Sequence, residues 1–346
     1  MVVAEVVAMR SHVRNGHDVV VIGGGAAGLS AALMLARARR SVVVIDAGSP
    51  RNAPATAVHG LLGREGIPPS ELLERGRAEV RGYGGQVVSG EVSAVARRDD
   101  GFEITLADAR TVRAHRLLIA IGLVDELPDV PGLRARWGRD VLHCPYCHGW
   151  EVRDQPIGVL ASGPRSVHQA LLFRQWSDDI LFFPHLMPNP TGEEAEQLAA
   201  RGIRVVGGEV TGMEIVDNQL IGVRLSDGTV VPRRAVAISP RMTVRSDFLA
   251  ALGLRPVQHP LGIGEYVPAD PTGRTEAPGV WAAGNITDPV AQVGTAAAAG
   301  AAAAAQINAD LVAEENRQAV AARDPFSALS EAHLCELVLG DRRHGL

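Results

Sequence analysis

The sequence predicts an α/β fold built from two strand–turn–helix units, and two observations support this prediction. Near the N-terminus, an apolar strand over 18–22 is followed by a glycine-rich turn and an apolar helix over 29–38. A second unit has a strand over 157–161, a turn over 162–165 and a helix over 166–176. Strands that alternate with helices are typical of α/β proteins with a parallel sheet.

The first unit has the residues that a dinucleotide-binding turn needs. Gly23 permits a tight turn, Gly25 lets the backbone approach a pyrophosphate, and Gly28 lets the helix pack closely on the strand. The next strand, 41–45, ends at Asp46, whose carboxylate can accept a hydrogen bond from a ribose hydroxyl. The helix start offers free N–H groups to the phosphates. We therefore predict a bound dinucleotide rather than a purely structural turn, held by Gly23, Gly25, Ala26, Ala27, Gly28 and Asp46.

Two cysteines lie between two histidines in the run His143-Cys144-Pro145-Tyr146-Cys147-His148. Two thiols at this spacing can close a small disulfide ring and reopen it, and so carry two electrons. A free thiol is mostly protonated near neutrality, and each flanking imidazole is a candidate base to activate it. The alternatives are half a zinc site or a buried pair of small residues. Zinc needs about four ligands and the only other cysteine is Cys335, so we predict a redox pair and no metal.

Composition limits the function classes. A chain of 346 residues is long for a single core, so two domains are expected. The net charge of −5 gives no reason to expect a nucleic-acid partner. All 34 basic residues are arginine, which excludes lysine Schiff-base chemistry and a P-loop lysine.

The cysteine content and the apolar segments indicate a compartment. Three cysteines do not make a secreted disulfide scaffold. The N-terminal segment 1–16 lacks the apolar region of a signal peptide. The alanine-rich run 296–305 is interrupted by Gly300 and is too weakly apolar to span a membrane. We therefore expect a cytoplasmic protein with no membrane partner.

Between the two units, strands are predicted over 86–95 and 116–121. The second of these contains Ala120 and is followed by Gly122, and such small residues suit the close approach of a cofactor. The segment 127–132, which contains two prolines and a glycine, indicates a crossing between domains.

With both motifs in this order, the sequence resembles the low-molecular-weight thioredoxin reductase superfamily over about residues 17–315. The resemblance implies two Rossmann-like dinucleotide-binding domains, the second, NAD(P)H-like domain being inserted into a split FAD domain. It also implies a homodimer. The expected boundaries are an N-terminal tail at 1–16, the FAD domain at 17–127 and 245–317, the inserted domain with the cysteine pair at 128–244, and a C-terminal tail at 318–346.

The same resemblance assigns further cofactor residues. In the superfamily the first unit holds the ADP half of FAD, and the segment matched by Gly284-Asn285 binds the flavin. The helix after Gln292-Val293 is matched by one whose N-terminus faces the flavin ring, where its dipole would stabilise negative charge. With the small residues after the sheet strand, the expected FAD contacts are Ala120, Gly122, Gly284, Asn285, Gln292 and Val293.

The second unit departs from the superfamily at the nucleotide site. Its glycine turn is reduced to Ala161-x-Gly163-x-x-Ser166, with Pro164 inside it. The superfamily then carries an arginine cluster for the 2′-phosphate of NADPH, but 175–200 contains no arginine here. A phosphate without a charged fork loses hydrogen bonds that are roughly twice as strong as neutral ones. The sequence therefore predicts weak binding of NADPH.

His148 and Asn285 also stand where thioredoxin reductases have acidic residues. These departures, and the segment 144–151, resemble a subgroup of the superfamily, the flavin-dependent dithiol oxidases of microbial natural-product pathways. That resemblance implies oxidation of a small dithiol to a cyclic disulfide, with electrons passing through the cysteine pair to FAD and O₂ and with release of H₂O₂. The alternatives are an NAD(P)H-dependent disulfide reductase with thioredoxin or another small protein as partner, and a non-catalytic flavin sensor or sequestering protein.

By the same resemblance, the substrate attacks Cys144 and Cys147 faces the flavin. His148 follows a cysteine directly and has an ordinary pKa suited to moving a proton, so we predict that it takes the substrate proton. His143 is a second candidate for this role, with a structural role as the alternative. Trp150 is expected to pack against the flavin domain.

Overall fold

The protein, examined as a computed structural model that describes residues 16–244, 246–322 and 328–339, has two regions that are each organised around a sheet. The predicted tail at 1–16 lies outside the described residues except for Gly16. The strands are β1 (His17–Ile22), β2 (Val42–Asp46), β3 (Gln86–Ser89), β4 (Val92–Arg98), β5 (Gly101–Leu106), β6 (Thr111–Ile119), β7 (Val124–Glu126), β8 (Val141–Leu142), β9 (Ile157–Leu160), β10 (Ile180–Phe183), β11 (Arg204–Val205), β12 (Val210–Val216), β13 (Gln219–Leu225), β14 (Val230–Pro232), β15 (Ala235–Ile238), β16 (Arg241–Thr243), β17 (Val257–Gln258), β18 (Glu265–Tyr266) and β19 (Val280–Ala282). The helices are α1 (Ala26–Arg37), α2 (Pro69–Gly82), α3 (Pro145–His148), α4 (Ser166–Phe173), α5 (Glu193–Ala200), α6 (Phe248–Ala251), α7 (Val293–Ala322) and α8 (Ala328–Leu339).

The first sheet joins segments that are distant in sequence. Its strand order is β3-β2-β1-β6-β5-β4, and β19 also pairs with β6. The strands β3, β2, β1, β6 and β19 are parallel, and β4, β5 and β6 form an antiparallel meander. Because β19 pairs with Leu117–Ile119 of β6, the chain that leaves this sheet after β6 returns to complete it.

The second sheet is parallel, with the order β11-β10-β9-β15-β8. The chain enters this region just after β7 and leaves it just before β16. These two strands pair with each other in antiparallel fashion, so the two crossings lie side by side. A separate antiparallel sheet, β12-β13-β14, packs beside the second sheet through a shared hydrophobic cluster.

Close packing of α1 on α7 positions the site. The central strand residues Val19, Val20 and Val21 are fully buried, as expected for a parallel sheet that is covered on both faces. A Cβ atom on Gly300 of α7 would lie 2.0 Å from the Ala27 carbonyl oxygen, so only glycine permits this approach. The starts of the two helices are therefore held together at the carboxyl edge of the sheet.

Element boundaries differ from the sequence prediction at three places. The strand predicted over 86–95 is divided at Gly90, whose N–H donates to the Asp46 carbonyl oxygen and directs the chain away from β2. The helix predicted over 166–176 ends at Phe173. The helix predicted over 29–38 begins earlier, at Ala26. Within the described residues, no helix has the length and apolar character needed to cross a membrane.

Candidate active site

One cavity of about 1170 Å³ brings the predicted site residues together. Its wall is formed by the carboxyl ends of β1, β2, β6 and β19, by the starts of α1 and α7, and by the cysteine segment. Gly28 is buried behind this wall. The predicted residues on the wall are Gly23, Gly25, Ala26, Ala27, Asp46, Ala120, Gly122, His143, Cys144, Cys147, His148, Gly284, Asn285, Gln292 and Val293.

The first glycine turn has one open glycine, Gly25, among crowded ones. Gly23 has φ +113°, and a Cβ atom there would lie 2.3 Å from the Ala120 carbonyl oxygen. A Cβ atom on Gly28 would lie 1.9 Å from the Gly23 carbonyl oxygen. At Gly25 a Cβ atom would meet nothing within 4 Å, and this residue begins α1 without a side-chain cap. The backbone is therefore exposed to a ligand at Gly25, as the sequence predicts for a pyrophosphate.

Asp46 is held against this turn. Its Oδ1 accepts a hydrogen bond from the Gly48 N–H over 2.9 Å, and its Oδ2 accepts one from Arg77 over 2.8 Å. A Cβ atom on Gly24 would lie 2.3 Å from Oδ2, so the carboxylate lies directly over the turn. This position matches a carboxylate that binds the ribose next to the pyrophosphate.

Asn285 holds the loop that leads into α7. Its Nδ2 donates to the carbonyl oxygens of Asp288, Pro289 and Ala291 over 3.1, 3.3 and 2.9 Å. Because a carbonyl oxygen only accepts, these contacts fix the amide orientation and leave Oδ1 available to a ligand. The preceding Gly284 has φ +86° and lies so close to α1 that a Cβ atom would be 2.9 Å from the Ala27 Cβ.

The residues on the cavity wall fit FAD. The open backbone at Gly25 and the carboxylate of Asp46 would hold the ADP half. Gln292 and Val293 at the start of α7 would face the flavin ring, where the N-terminal end of the helix favours negative charge. These contacts remain predictions for the individual residues.

The cysteine pair lies at the start of a short helix. The N–H groups of Cys147 and His148 donate to the Cys144 carbonyl oxygen over 3.2 and 3.1 Å. Both thiols are free, and the hydrogen bond from Cys147 lowers the pKa of Cys144 to about 7, with help from backbone N–H groups and the Gln292 side chain. The same hydrogen bond, together with burial, raises the pKa of Cys147. In the reduced pair, Cys144 therefore carries the thiolate.

His143 is buried next to the pair. Burial lowers the pKa of His143 to about 4, and the positive charge of Arg51 acts in the same direction. Its carbonyl oxygen accepts a hydrogen bond from Gln169 Nε2 over 2.7 Å, which ties the cysteine segment to α4. His143 is thus neutral near pH 7 and a poor base. Its catalytic role stays a prediction.

His148 belongs to a cluster that sequence reasoning missed. Burial lowers the pKa of His148, and nearby Glu151 opposes this while His59 adds to it. His59 Nδ1 lies 2.6 Å from Glu65 Oε1, and His59 Nε2 lies 3.5 Å from Glu151 Oε1. The segment 59–66, with three glycines and a histidine, was the only local sign of this arrangement.

An arginine–aspartate pair also lines the cavity and was missed. Arg51 Nε lies 2.9 Å from Asp125 Oδ2, and Arg51 Nη2 lies 2.8 Å from Asp125 Oδ1. The positive charge of Arg51 opposes the rise in the pKa of Cys147. No local pattern marks this pair, because the two residues are 74 positions apart in sequence.

The side chain of Ser166 is hydrogen-bonded within the second glycine turn. Ser166 Oγ accepts hydrogen bonds from the N–H groups of Ser162 and Gly163 over 3.0 and 3.3 Å, and donates to the Gly163 carbonyl oxygen over 2.8 Å. Pro164 lies against Gly262, where a Cβ atom would be 3.0 Å from Pro164 Cγ. The N–H groups that would bind a pyrophosphate are thus already bonded.

The helix that follows β10 carries acidic residues at its start. Glu193, Glu194 and Glu196 lie in the first turn of α5, whereas the superfamily has arginines after the matching strand. These glutamates are exposed and lie outside the cavity wall.

The position of Trp150 differs from the sequence prediction. The residue is 65% exposed, and the Arg153 guanidinium lies over its ring at 4.1 Å from the centroid. The prediction that Trp150 packs against the flavin domain is therefore wrong. The stacking of an arginine on one face explains how a large ring remains at the surface. Cys335 is exposed on α8 and has no part in the cavity wall.

Comparison with known proteins identifies relatives along most of the chain. Residues 17–304 match the family model described as pyridine nucleotide-disulphide oxidoreductase. The thioredoxin reductase tcpT of Claviceps purpurea is 29% identical over 87% of this chain and 96% of its own length. The thioredoxin reductase aclD of Aspergillus oryzae is 30% identical over 78% of this chain and 88% of its own length.

Solved structures show the same fold. The crystal structure of HlmI is 47% identical, with a TM-score of 0.84, and covers 90% of this chain and 97% of its own. An oxidoreductase from Agrobacterium tumefaciens is 34% identical, with a TM-score of 0.81, and covers 86% of this chain and 99% of its own. The predicted α/β class with two Rossmann-like units is confirmed. The chain therefore belongs to the pyridine nucleotide-disulphide oxidoreductase family and is a thioredoxin reductase-like oxidoreductase with FAD as its cofactor.

Proposed function

We propose that the protein is an FAD-dependent dithiol oxidase that forms an intramolecular disulfide in a small natural-product dithiol. The observation that carries the proposal is the second glycine turn, whose N–H groups are bonded to Ser166. The absence of arginine from 175–200 supports the same conclusion. Because these N–H groups are already bonded, the proposal has electrons enter through the cysteine pair rather than from a nicotinamide.

In the first half of the reaction the pair is a disulfide. A substrate thiol loses its proton to His148 and its sulfur attacks Cys144, forming a substrate–Cys144 disulfide and breaking the Cys144–Cys147 bond. Cys147 then carries the released electron pair. Arg51 lies close enough to Cys147 to stabilise this negative charge.

In the second half the other substrate thiol attacks the substrate sulfur of the mixed disulfide. The substrate leaves as a cyclic disulfide, and the electron pair of the broken bond goes to Cys144. A thiol with a lower pKa leaves faster, and the backbone N–H groups of Tyr146 and Cys147 and the Gln292 side chain lower the pKa of Cys144. Bound FAD would supply a two-electron acceptor for the reduced pair, and its reoxidation by O₂ would give H₂O₂.

The second candidate is an NAD(P)H-dependent disulfide reductase. It is favoured by the names of the curated relatives, several of which are called thioredoxin reductases. The high identity to HlmI over nearly the whole chain does not separate the two candidates. A homodimer and a cytoplasmic location stay predictions under both.

The two functions predict opposite electron donors. The FAD-loaded protein would be mixed anaerobically with NADPH, NADH and dithiothreitol in separate experiments, and the flavin absorbance followed. We expect fast bleaching by the dithiol, slow or no bleaching by either nicotinamide, and H₂O₂ when air is admitted. Each lost contact to the 2′-phosphate at about 1.5–3 kcal/mol should weaken NADPH by one to two decades.

The control is the double variant Cys144→Ser/Cys147→Ser, which keeps the flavin site. Its flavin should not be bleached by the dithiol, because the reaction passes through the pair. Rapid bleaching of the wild-type flavin by NADPH or NADH, without O₂ consumption on dithiols, would establish the reductase.

A further inference from the structure

The loop 58–67 is a closed unit on the wall of the cavity. Val58 and Ile67 pair at its base, where the Val58 N–H donates to the Ile67 carbonyl oxygen over 2.8 Å. Gly60 and Gly66 have φ of +71° and +76°, conformations that favour glycine. The loop backbone is therefore held in one shape, and so are the side chains at its base.

Glu65 fixes the ring of His59. Its Oε1 lies 2.6 Å from His59 Nδ1, and its Oε2 accepts a hydrogen bond from the Gly60 N–H over 2.8 Å. A carboxylate only accepts, so His59 Nδ1 carries hydrogen and Nε2 is the nitrogen that gains or loses a proton. A carboxylate that sets the tautomer of a histidine is a recurrent arrangement in general bases.

The loop approaches the cysteine pair through Gln292. A Cβ atom on Gly60 would lie 3.8 Å from Gln292 Oε1, and Gln292 is hydrogen-bonded to Cys144. His59 lines the same cavity as both cysteines. His59 Nε2 is directed to Glu151, at 3.5 Å, on the other sheet region.

Oxidation of a dithiol releases two thiol protons at this site. His148 is placed to take one of them. His143 is a poor acceptor for the other, because burial lowers its pKa to about 4. The titratable groups that face His59 are Glu65 on its own loop, and Glu151 and His148 after the cysteine pair. His59 is thus a second imidazole near the cysteine segment, carried by a separate loop of the cavity wall.

We propose that His59, oriented by Glu65, is a second acid–base residue, which takes the proton of the substrate thiol that closes the cyclic disulfide. This inference rests on the proposed oxidase function. Glu65 is a positioning residue. Glu151, which is 42% exposed and lies near both His59 and His148, passes the protons to solvent.

The step balances within the protein and substrate. The second thiol gives its proton to His59 Nε2, and its sulfur bonds to the substrate sulfur of the mixed disulfide. The bond between that sulfur and Cys144 breaks, and Cys144 keeps the electron pair. The oxidant is the Cys144–Cys147 disulfide, which is reduced by two electrons over both halves of the reaction.

The test uses the FAD-loaded protein with dithiothreitol as the probe, under anaerobic single-turnover conditions. We expect His59→Gln to slow flavin reduction by about 10-fold or more and to make the acid limb of the pH–rate profile shallower. Glu65→Gln should slow flavin reduction less than His59→Gln does, because it keeps the imidazole and changes only its tautomer. A glutamine can donate to Nδ1 as well as accept from it, so the Nδ1–H form is no longer fixed. His115→Gln is the matched control, since this exposed histidine bonds only to the Asp100 carbonyl oxygen.

A second measurement separates orientation from packing. In protein labelled with ¹⁵N-histidine, the His59 ring should show the Nδ1–H tautomer in the wild type, and Glu65→Gln should lose this preference. This readout needs no turnover, and it applies even when a variant binds FAD poorly.

The outcomes are distinguishable. If dithiothreitol does not reduce the wild-type flavin, the proposed oxidase function fails. If it does and His59→Gln matches the wild type in rate and pH profile, His59 only links the two regions through Glu151 and the present inference is overturned. A wild-type ring without the Nδ1–H tautomer would also overturn it.

Discussion

The two glycine turns of this protein occupy equivalent places in two similar units, but they differ in the bonding of their backbone N–H groups. A Cβ atom would meet nothing within 4 Å at Gly25 or at the equivalent Gly163, and neither helix start has a side-chain cap. At the second turn the N–H groups of Ser162 and Gly163 bond to Ser166 Oγ. A single hydroxyl thus takes the place that a phosphate would have.

A nucleotide-type unit can therefore keep its fold while the N–H groups of its glycine turn are bonded within the protein. The second sheet has a parallel order and buried strands, such as Ile157–Leu160. The two turns differ in the hydrogen bonding of a few N–H groups. Folding depends on the buried strands, whereas binding depends on these few exposed groups.

The largest expected effect is at the crowded glycine of the first turn. Gly28→Ala would place a Cβ atom 1.9 Å from the Gly23 carbonyl oxygen, and this backbone atom cannot move away cheaply. We expect a loss of about 3 kcal/mol or more in the free energy of unfolding and little bound FAD. Denaturant unfolding and the flavin content of the purified protein would measure this.

Gly163→Ala in the second turn is the matched control, because its Cβ atom would meet nothing within 4 Å. Its free energy of unfolding should change by less than about 0.5 kcal/mol. Equal losses in the two variants would contradict the comparison.

The next effect concerns the open glycine. Gly25→Ala leaves the apoprotein unstrained, since the residue has φ −80° and free space around it. The added methyl group would occupy the space that the pyrophosphate needs, so we expect FAD to bind about 10- to 100-fold more weakly. Titration of FAD into apoprotein, followed by flavin fluorescence, would measure the change. An unchanged affinity would show that the pyrophosphate does not approach Gly25.

A smaller effect is expected at the loop before α7. Asn285→Asp would place a carboxylate against the carbonyl oxygens of Asp288, Pro289 and Ala291, which now accept from its amide. We expect a loss of about 1–3 kcal/mol in stability, from thermal unfolding of the FAD-loaded protein. In Asn308→Asp, the control, the new carboxylate would accept from Arg40, so stability should be unchanged or higher. A neutral Asn285→Asp variant would show that the loop does not depend on these bonds.

The first turn could be predicted from sequence because its residues act over a short range. Gly28 contacts Gly23 and Asp46 contacts Gly24 within the same strand–turn–helix unit, so their spacing alone indicates their packing. The cysteine pair could be predicted for the same reason.

The remaining site residues depend on contacts that spacing does not encode. Arg51 meets Asp125 across 74 positions, and His59 meets Glu151 only because the two regions are packed together. The exposure of Trp150 was missed because it is set by a neighbouring arginine rather than by the hydrophobicity of the ring. Long-range pairing and surface stacking are therefore where the sequence was least informative.

The smallest expected effect tests whether the N–H groups of the second turn can be freed to bind a nucleotide. Ser166→Ala removes the hydroxyl that holds Ser162 and Gly163, which should cost about 1 kcal/mol in stability. It also frees two N–H groups for an anion, so NADH should bind a few-fold more tightly, as measured by its effect on flavin fluorescence. The gain should stay small because Pro164 still packs against Gly262 beside the turn.

The control is Ser93→Ala, which removes an exposed hydroxyl bonded to the Thr105 carbonyl oxygen and should leave NADH binding unchanged. If Ser166→Ala binds NADH no better, the closure of this turn depends on the packing of Pro164 rather than on the hydroxyl.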